Sequence, residues 1–315
     1  MDKTIEMKKV FDRLSSNNQT FDFHTPVEMN ADLKEYLNYY DFNHEKIAFH
    51  FGKVEIGKAK VIVQMFAPKS SKGTVILLHG YLDHVGHLRH IINFLNEHQY
   101  TVVSYDLQGH GLSDGDAASI NKFEDYVLTL ETLMEKVKEE LDGPFYAIGH
   151  STGGAILSNY ALKHVNHSFE KVIFVAPLVR SNFWYLTKIG IYLMKAVPFI
   201  QRVKRNFRKN SSSHQYLDFV RSDPLQPDVI PLDWTDALIE WNEKIQSYRP
   251  VHTKTCIIQG TDDETVDWKY NIKFLTESFP DSKVVYIENG KHALFNESRP
   301  IRELVCSFIH QFINE

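Results

Sequence analysis

The chain is 315 residues long, 43% hydrophobic and 24% charged, with a formal net charge of −5. That length supports one large domain or two small ones with ample core, and the balanced charge excludes a nucleic-acid binder of bulk basicity and an acidic solvating tail. Cys256 and Cys306 sit in apolar segments without metal-ligand spacing, as buried thiols of a reducing compartment do.

Met1 to Glu6 is polar with no apolar run behind it, and no stretch reaches 18 uninterrupted apolar residues. A soluble, cytoplasmic protein is expected, without signal peptide or membrane span. Residues 1–45 carry weak helical pieces at 5–14 and 31–40, and are expected to pack outside the core or fray as an N-terminal extension. Residues 46–56 and 59–66 alternate and are rich in β-branched and aromatic side chains, which predicts two antiparallel strands joined near Gly57. Residues 74–78 are apolar throughout, as a strand buried on both faces requires, and end in His79-Gly80-Tyr81. Helical spacing follows over 86–99 through Leu88, Ile91, Ile92 and Leu95. A second buried strand, 101–105, runs into Asp106-Leu107-Gln108-Gly109-His110-Gly111-Leu112-Ser113. Asn121 with Glu124 predicts a capping box for a helix to about residue 141.

Residues 146–157 read as apolar strand, tight turn and helix, with Gly149-x-Ser151-x-Gly153 at the turn. Such a turn strains the serine backbone and exposes its hydroxyl at a helix N-terminus, where free N–H groups favour developing negative charge. Alone, the motif also fits a glycine-rich turn with an ordinary serine. Strands at 171–176, 254–259 and 283–287 and helices at 269–278 and 301–313 complete the pattern. Strand–helix alternation after an antiparallel start predicts an α/β fold, a mostly parallel sheet with helices on both faces. Residues 178–250 interrupt it with helical texture, so a helical cap is expected between the core segments 46–177 and 251–315. His79, Asp106, Ser151, Asp263 and His292 all follow predicted strands, at the edge where such sheets bind ligands.

A nucleophilic serine needs a base and an orienting carboxylate, in this fold in the chain order Ser, acid, His. His292 follows a glycine-containing turn at a late strand end and is the candidate base. Four carboxylates crowd residues 262–267, and spacing leaves Asp262 and Asp263 even. Oxyanion donors are expected from the N–H groups of Thr152 and Tyr81. His84, His87 and His90 step by three without a Cys or acidic partner, so no metal is expected. Residues 182–197 are apolar nearly all round, and Arg202, Lys204, Arg205, Arg208 and Lys209 follow. Such a helix buries one side and offers the other to an acyl chain or a membrane surface. The basic flank fits an interfacial helix on anionic lipid and equally a solvated basic helix. Lys188, Lys195 and Pro198 argue against a span.

Together, His79-Gly80-Tyr81-Leu82-Asp83-His84, the Asp106 to Ser113 loop, Gly149-His150-Ser151-Thr152-Gly153-Gly154, Ser222-Asp223-Pro224, Gly260-Thr261-Asp262-Asp263 and Gly290-Lys291-His292 resemble the α/β-hydrolase family in its own order over about residues 46–315. Within it they are similar to the monoacylglycerol lipase and lysophospholipase branch, often labelled serine aminopeptidase S33. The resemblance implies Ser151 as nucleophile, Asp263 as acid and His292 as base, with Tyr81 and Thr152 at the oxyanion positions and no metal or cofactor. It implies hydrolysis of carboxylic esters of lipid-like monoacyl substrates. Where monoacylglycerol lipases carry Glu, Arg and a second His around glycerol, this chain has Asp83, His87 and Phe295, so a glycerol headgroup is not implied. A substrate pocket is expected around Asp83, His87, Phe183, Trp184 and Phe295. The implied partner is a small acyl ester or lipid, with peripheral membrane contact through the cap, no nucleic acid and no obligate protein partner. The rival readings are a prolyl-aminopeptidase-type peptidase on the same scaffold and a non-catalytic hydrolase-fold binding protein.

Overall fold

In the computed structural model, which describes residues 3–57, 59–195 and 201–315, the apolar strands assemble into one eight-stranded sheet. Met1, Asp2, Ala196, Val197 and Pro198, used in the readings above, lie outside the described residues, as does the Lys195 side chain.

Helices α1 (Lys3–Ser16) and α2 (Ala31–Tyr39) come first. Strands β1 (Ile47–Ile56) and β2 (Ala59–Pro68) form the hairpin, followed by β3 (Thr74–Leu78), α3 (Arg89–Glu97), β4 (Thr101–Tyr105), α4 (Phe123–Glu140), β5 (Phe145–His150), α5 (Thr152–Lys163) and β6 (Phe169–Val175). The inserted segment holds α6 (Trp184–Lys195), β7 (Arg202–Lys204), α7 (His214–Ser222), β8 (Val229–Pro231) and α8 (Leu232–Ile245). The chain closes with β9 (Thr255–Gly260), α9 (Trp268–Ser278), β10 (Ser282–Ile287) and α10 (Arg299–Asn314). The sheet order is β1-β2-β4-β3-β5-β6-β9-β10. β2 pairs antiparallel with β1 and β4, and every later pair is parallel.

The two-faced burial of the strands is visible residue by residue. Ile76, Leu78, Val103, Ala147, Val172 and Ile257 face one core, with α4, α5, α8 and α9. Their neighbours Val75, Leu77, Val102, Ile148, Ile173 and Ile258 face the other, with α1, α2, α3 and α10. A pleat of period two sends successive side chains to opposite faces, so a strand covered on both sides is apolar at successive positions, and a polar exception such as Ser104 is hydrogen-bonded, here to the Leu77 carbonyl. Helices α1 and α2 belong to the second core, where Phe11, Leu14, Tyr36, Leu37 and Tyr40 are buried, while Phe21 between them joins the first. They pack and do not fray.

Three local expectations change. The capping box is not formed, because α4 starts one residue later: Lys122 is its N-cap, with no side-chain cap, and Glu124 instead accepts from Lys244 Nζ at 2.5 Å. The helix expected from residue 86 begins as a 3₁₀ turn, Val85–Leu88, with α3 following. The insertion is not wholly helical, since β7 and β8 pair antiparallel through Val203 and Ile230.

Candidate active site

The serine turn is built by what its glycines omit. A Cβ at Gly153 would lie 2.5 Å from the Leu78 carbonyl oxygen, and one at Gly149 would lie 2.5 Å from that of Gly153. Without side chains at these two positions, α5 can approach both β5 and the end of β3 closely enough for the turn. Ser151 sits at φ 52°, ψ −115°, with its N–H donating to the Val175 carbonyl at 3.0 Å. An L-residue holds that strained conformation only when its surroundings over-determine it.

Two later strand ends converge on the hydroxyl. Ser151 Oγ and His292 Nε2 are 3.0 Å apart, and His292 Nδ1 is 2.8 Å from Asp263 Oδ2. Asp263 Oδ1 accepts from the Thr265 and Val266 N–H groups at 2.8 and 3.2 Å, and Gln259 Nε2 donates to Oδ2 at 3.1 Å. Burial would push the Asp263 carboxyl up, but the adjacent His292 and these donors hold it below its ordinary value. Asp263, not Asp262, reaches the imidazole: Asp263 is buried, whereas Asp262 and Glu264 are exposed and Asp267 caps α9. As the first residue of α5, Thr152 has an N–H with no intrahelical acceptor. Tyr81 is pinned by stacking on Trp234, with centroids 3.5 Å apart, and by its hydroxyl donating to the Ala118 carbonyl at 2.8 Å. Tyr81, Ser151, Thr152 and His292 all line one cavity of about 340 Å³.

His79 and Asp106, also at strand ends, hold loops and stay out of the cavity wall. His79 Nε2 accepts from the Leu107 N–H at 2.9 Å, and burial pulls this imidazole down to about 3, so it is neutral. Asp106 accepts from the Val85 and Leu112 N–H groups, each at 2.8 Å, tying the His79-Gly80 loop to its own.

The expected pocket residues divide. Asp83 and His87 line the cavity. Phe183, Trp184 and Phe295 do not, which corrects the expectation. Phe183 is 66% exposed at the start of α6, whereas Trp184 is 4% exposed and packs into the core below it. Phe295 is buried behind His150, its ring 5.8 Å away. The apolar wall comes instead from Leu217 and Val220 of α7, Ile230 of β8, and Trp234 and Leu238 of α8. The signal was the amphipathic spacing of α7 and α8, less conspicuous than the uniformly apolar stretch before them.

The histidine triplet does acquire an acidic partner, from far along the chain. Asp223 Oδ2 lies 3.0 Å from His84 Nε2 and 2.8 Å from His87 Nε2, and the Tyr40 hydroxyl donates to Asp223 Oδ1 at 3.0 Å. His87 Nδ1 is 2.6 Å from Asp83 Oδ1. The metal-ligating atoms of His84, His87 and Asp223 lie within 4.8 Å of one another. Their bonding is that of a charged network instead. Both His87 nitrogens donate to carboxylates, and His84 Nδ1 accepts from the Gly86 N–H at 3.1 Å, which leaves its proton on Nε2. His90 lies apart, beside Arg302 Nη1 at 3.1 Å.

Burial alone would lower His87, but the carboxylates of Asp83 and Asp223 raise it from 6.5 to about 9, while both aspartates are held well below their ordinary value. A raised imidazole contributes stability that is complete below its unfolded value of 6.5 and is lost as pH climbs through 9. The urea-unfolding midpoint is therefore expected to fall between pH 7 and pH 9.5, and less steeply in His87→Gln. Equal midpoints at the two pH values in the unsubstituted chain would contradict the charge assigned to His87.

The sheet order, the turn at Ser151 and the ligand edge define an α/β hydrolase. The family model described as serine aminopeptidase, S33 matches residues 69–299, and the chain belongs to that family. It is similar to monoglyceride lipase of Saccharomyces cerevisiae, 24% identical over 316 residues that span 92% of this chain and 96% of that one. It is also similar to monoglyceride lipase of Rattus norvegicus, 24% identical over 251 residues, 76% of this chain and 80% of the other. The crystal structure of a soluble variant of the yeast lipase with a substrate analog superposes with a TM-score of 0.71 at 21% identity, over 82% of this chain and 93% of that one. At that identity the likeness shows the fold.

Proposed function

We propose that this chain is a serine hydrolase that cleaves the carboxylic ester of monoacyl, lipid-like substrates, with residues 178–250 as a cap over the site. The observation that carries the reading is the continuous Ser151–His292–Asp263 hydrogen-bond chain opening on a cavity whose far wall is apolar. His292 Nε2 takes the Ser151 proton while Oγ attacks the ester carbonyl carbon. Asp263 holds the Nδ1 proton and stabilises the imidazolium that forms. The Tyr81 and Thr152 N–H groups stabilise the oxyanion, and its collapse breaks the carbonyl–alkoxy bond as His292 returns the proton to the leaving alcohol. Water, deprotonated by the same imidazole, then releases the acid and restores Ser151. The monoglyceride lipase names of the relatives support the ester and the single acyl chain.

The family's description as a peptidase draws no support from the cavity. A free amine needs an unengaged carboxylate, and the one carboxylate among the described wall residues, Asp83, is held by His87. Hydrolysis of p-nitrophenyl esters from C2 to C16 tests the reading. A Ser151-dependent optimum at C8 or longer is expected. An optimum at C2 to C4 would leave an esterase and remove the lipid, and turnover of proline β-naphthylamide alone would favour the peptidase.

The cap also carries the proposed contact with a lipid surface. No helix among the described residues is long and apolar enough to cross a membrane. Helix α6 nevertheless exposes Tyr185, Leu186, Ile189, Tyr192 and Leu193, each at least 57% accessible, and Arg202 and Lys204 are exposed just beyond it. An apolar face beside free cations fits the interface of anionic bilayers. Co-flotation with phosphatidylglycerol vesicles is expected, reduced severalfold by Leu186→Ser with Leu193→Ser. Equal flotation of the double variant would remove the contact from α6.

A further inference from the structure

The stretch after β7 places cations in the cavity wall and, among the described residues, leaves them without an anion in contact. Arg205 and Arg208 line the cavity together with Arg221, against Asp83 as the one carboxylate among the described wall residues. Arg221 has its own partner in Asp218, at 3.3 Å. Arg205 does not: its Nη1 donates to Gln226 Oε1 at 2.6 Å and to the Pro227 carbonyl at 3.3 Å, both neutral acceptors. Among the described residues, Arg208 Nη1 reaches the Glu264 backbone carbonyl alone, at 3.5 Å. Asp83 feels the Arg205 charge, yet its hydrogen bond goes to His87. Burial pulls Arg205 below its ordinary value, the mark of a cation taken partly out of water without a counter-ion at contact.

The position of these cations matters as much as their charge. The Ala293 N–H, one residue past His292, donates to the Asn210 carbonyl at 2.8 Å, and the Arg208 contact falls one residue past Asp263. The stretch 205–210 is therefore anchored to the loops that carry the proposed base and acid, in the wall of the cavity that Ser151 lines. Its other end is tied down by the Arg205 N–H donating to the Asp228 carbonyl at 2.8 Å, next to β8. A neutral polyol headgroup calls for hydroxyl partners, not for a half-buried guanidinium without a counter-ion at contact and a second, exposed one in the same wall. A tetrahedral dianion meets the planar fork of arginine with paired charge-assisted hydrogen bonds.

We propose that Arg205 and Arg208 form an anion subsite for the leaving group, so that the substrate is a monoacyl ester whose alcohol carries a phosphate. The inference rests on the ester-hydrolase reading and specifies its headgroup. The test compares 1-octanoyl-glycerol 3-phosphate with 1-octanoylglycerol, both below their aggregation limits so that attraction to a vesicle plays no part. The parent reading is tested separately with p-nitrophenyl octanoate. The phosphate-bearing ester is expected to have the higher kcat/KM by tenfold or more. Arg205→Gln and Arg208→Gln are each expected to cut that ratio by about tenfold, the scale of one charge-assisted hydrogen bond.

Comparable kcat/KM for the two octanoyl esters, or a ratio untouched by both substitutions, would overturn the subsite while p-nitrophenyl octanoate turnover left the hydrolase standing. Loss of Ser151-dependent turnover of all three esters would fail the parent reading instead. If the variants do not fold, competition in the unsubstituted chain decides. Glycerol 3-phosphate is expected to inhibit p-nitrophenyl octanoate hydrolysis competitively and at concentrations at least tenfold below glycerol. Inhibition by inorganic phosphate with no preference for the phosphorylated ester would mark a free-anion site and overturn the headgroup assignment.

Discussion

Replacing Ser151 with alanine is expected to lower kcat for p-nitrophenyl octanoate by about four orders of magnitude or more. The substitution removes the atom proposed to form the acyl-enzyme and leaves the proposed Tyr81 and Thr152 donors, so the expected residual rate is what the oxyanion hole and binding would achieve alone. Cβ is retained at the strained turn, so the fold should survive and its unfolding midpoint should stay near that of the unsubstituted chain. Asp263→Asn is expected to cost about 10⁴-fold as well, because an amide does not hold His292 in the tautomer that leaves Nε2 free to accept. Fluorophosphonate labelling reads the same chemistry without a substrate and should vanish in Ser151→Ala. A variant that keeps more than a tenth of the activity would place the nucleophile elsewhere, and a chain that never labels would revive the non-catalytic reading.

The largest stability effect is expected at Asp223, outside the proposed catalytic set. Asp223→Ala should lower the unfolding free energy by about 3–5 kcal/mol, the range for removing one partner of a buried charged pair. The carboxylate takes hydrogen bonds from the buried His84, His87 and Tyr40 and from the Leu225 N–H, so truncation leaves four donor groups without this acceptor, one of them on the imidazolium of His87. Tyr40→Phe removes one neutral donor from an acceptor that keeps His84, His87 and the Leu225 N–H, and should cost about 1 kcal/mol. Urea titration at pH 7 separates the two, and a loss under 1 kcal/mol for Asp223→Ala would show that the network contributes little to folding. Because Tyr40 closes α2, the histidines follow β3 and Asp223 follows α7, the same cluster ties the N-terminal segment and the insertion to the loop that carries Tyr81.

Much of the molecule is written in local pattern. The strand at 74–78 is an apolar run and that at 101–105 is centred on Val102 and Val103 because both faces of each are covered, and that needs no knowledge of what covers them. The turn at Ser151 follows from glycines within two residues on either side, since the steric demand lies inside one strand–turn–helix unit. Family motifs then carried Asp263, which spacing alone had left level with Asp262. What decides between those two is the direction of a side chain at the end of β9, and the chain folds only one of them inward against His292.

Tertiary structure alone settled the remainder, because it depends on partners distant in sequence. Asp223 meets His87 from 136 residues away, so no spacing rule could supply the acid that the histidine triplet lacked. The expected pocket wall was misplaced for a related reason: composition shows that residues 182–195 are mostly apolar but not which side of that helix the rest of the molecule covers. Trp184 is packed below while Phe183 faces outward, and α7 and α8 lean over the serine in their place. Likewise a run of basic residues reads the same whether solvated or turned inward. Its meaning came from the β7–β8 ladder, which sets Arg205 against neutral acceptors and leaves its charge without a counter-ion at contact.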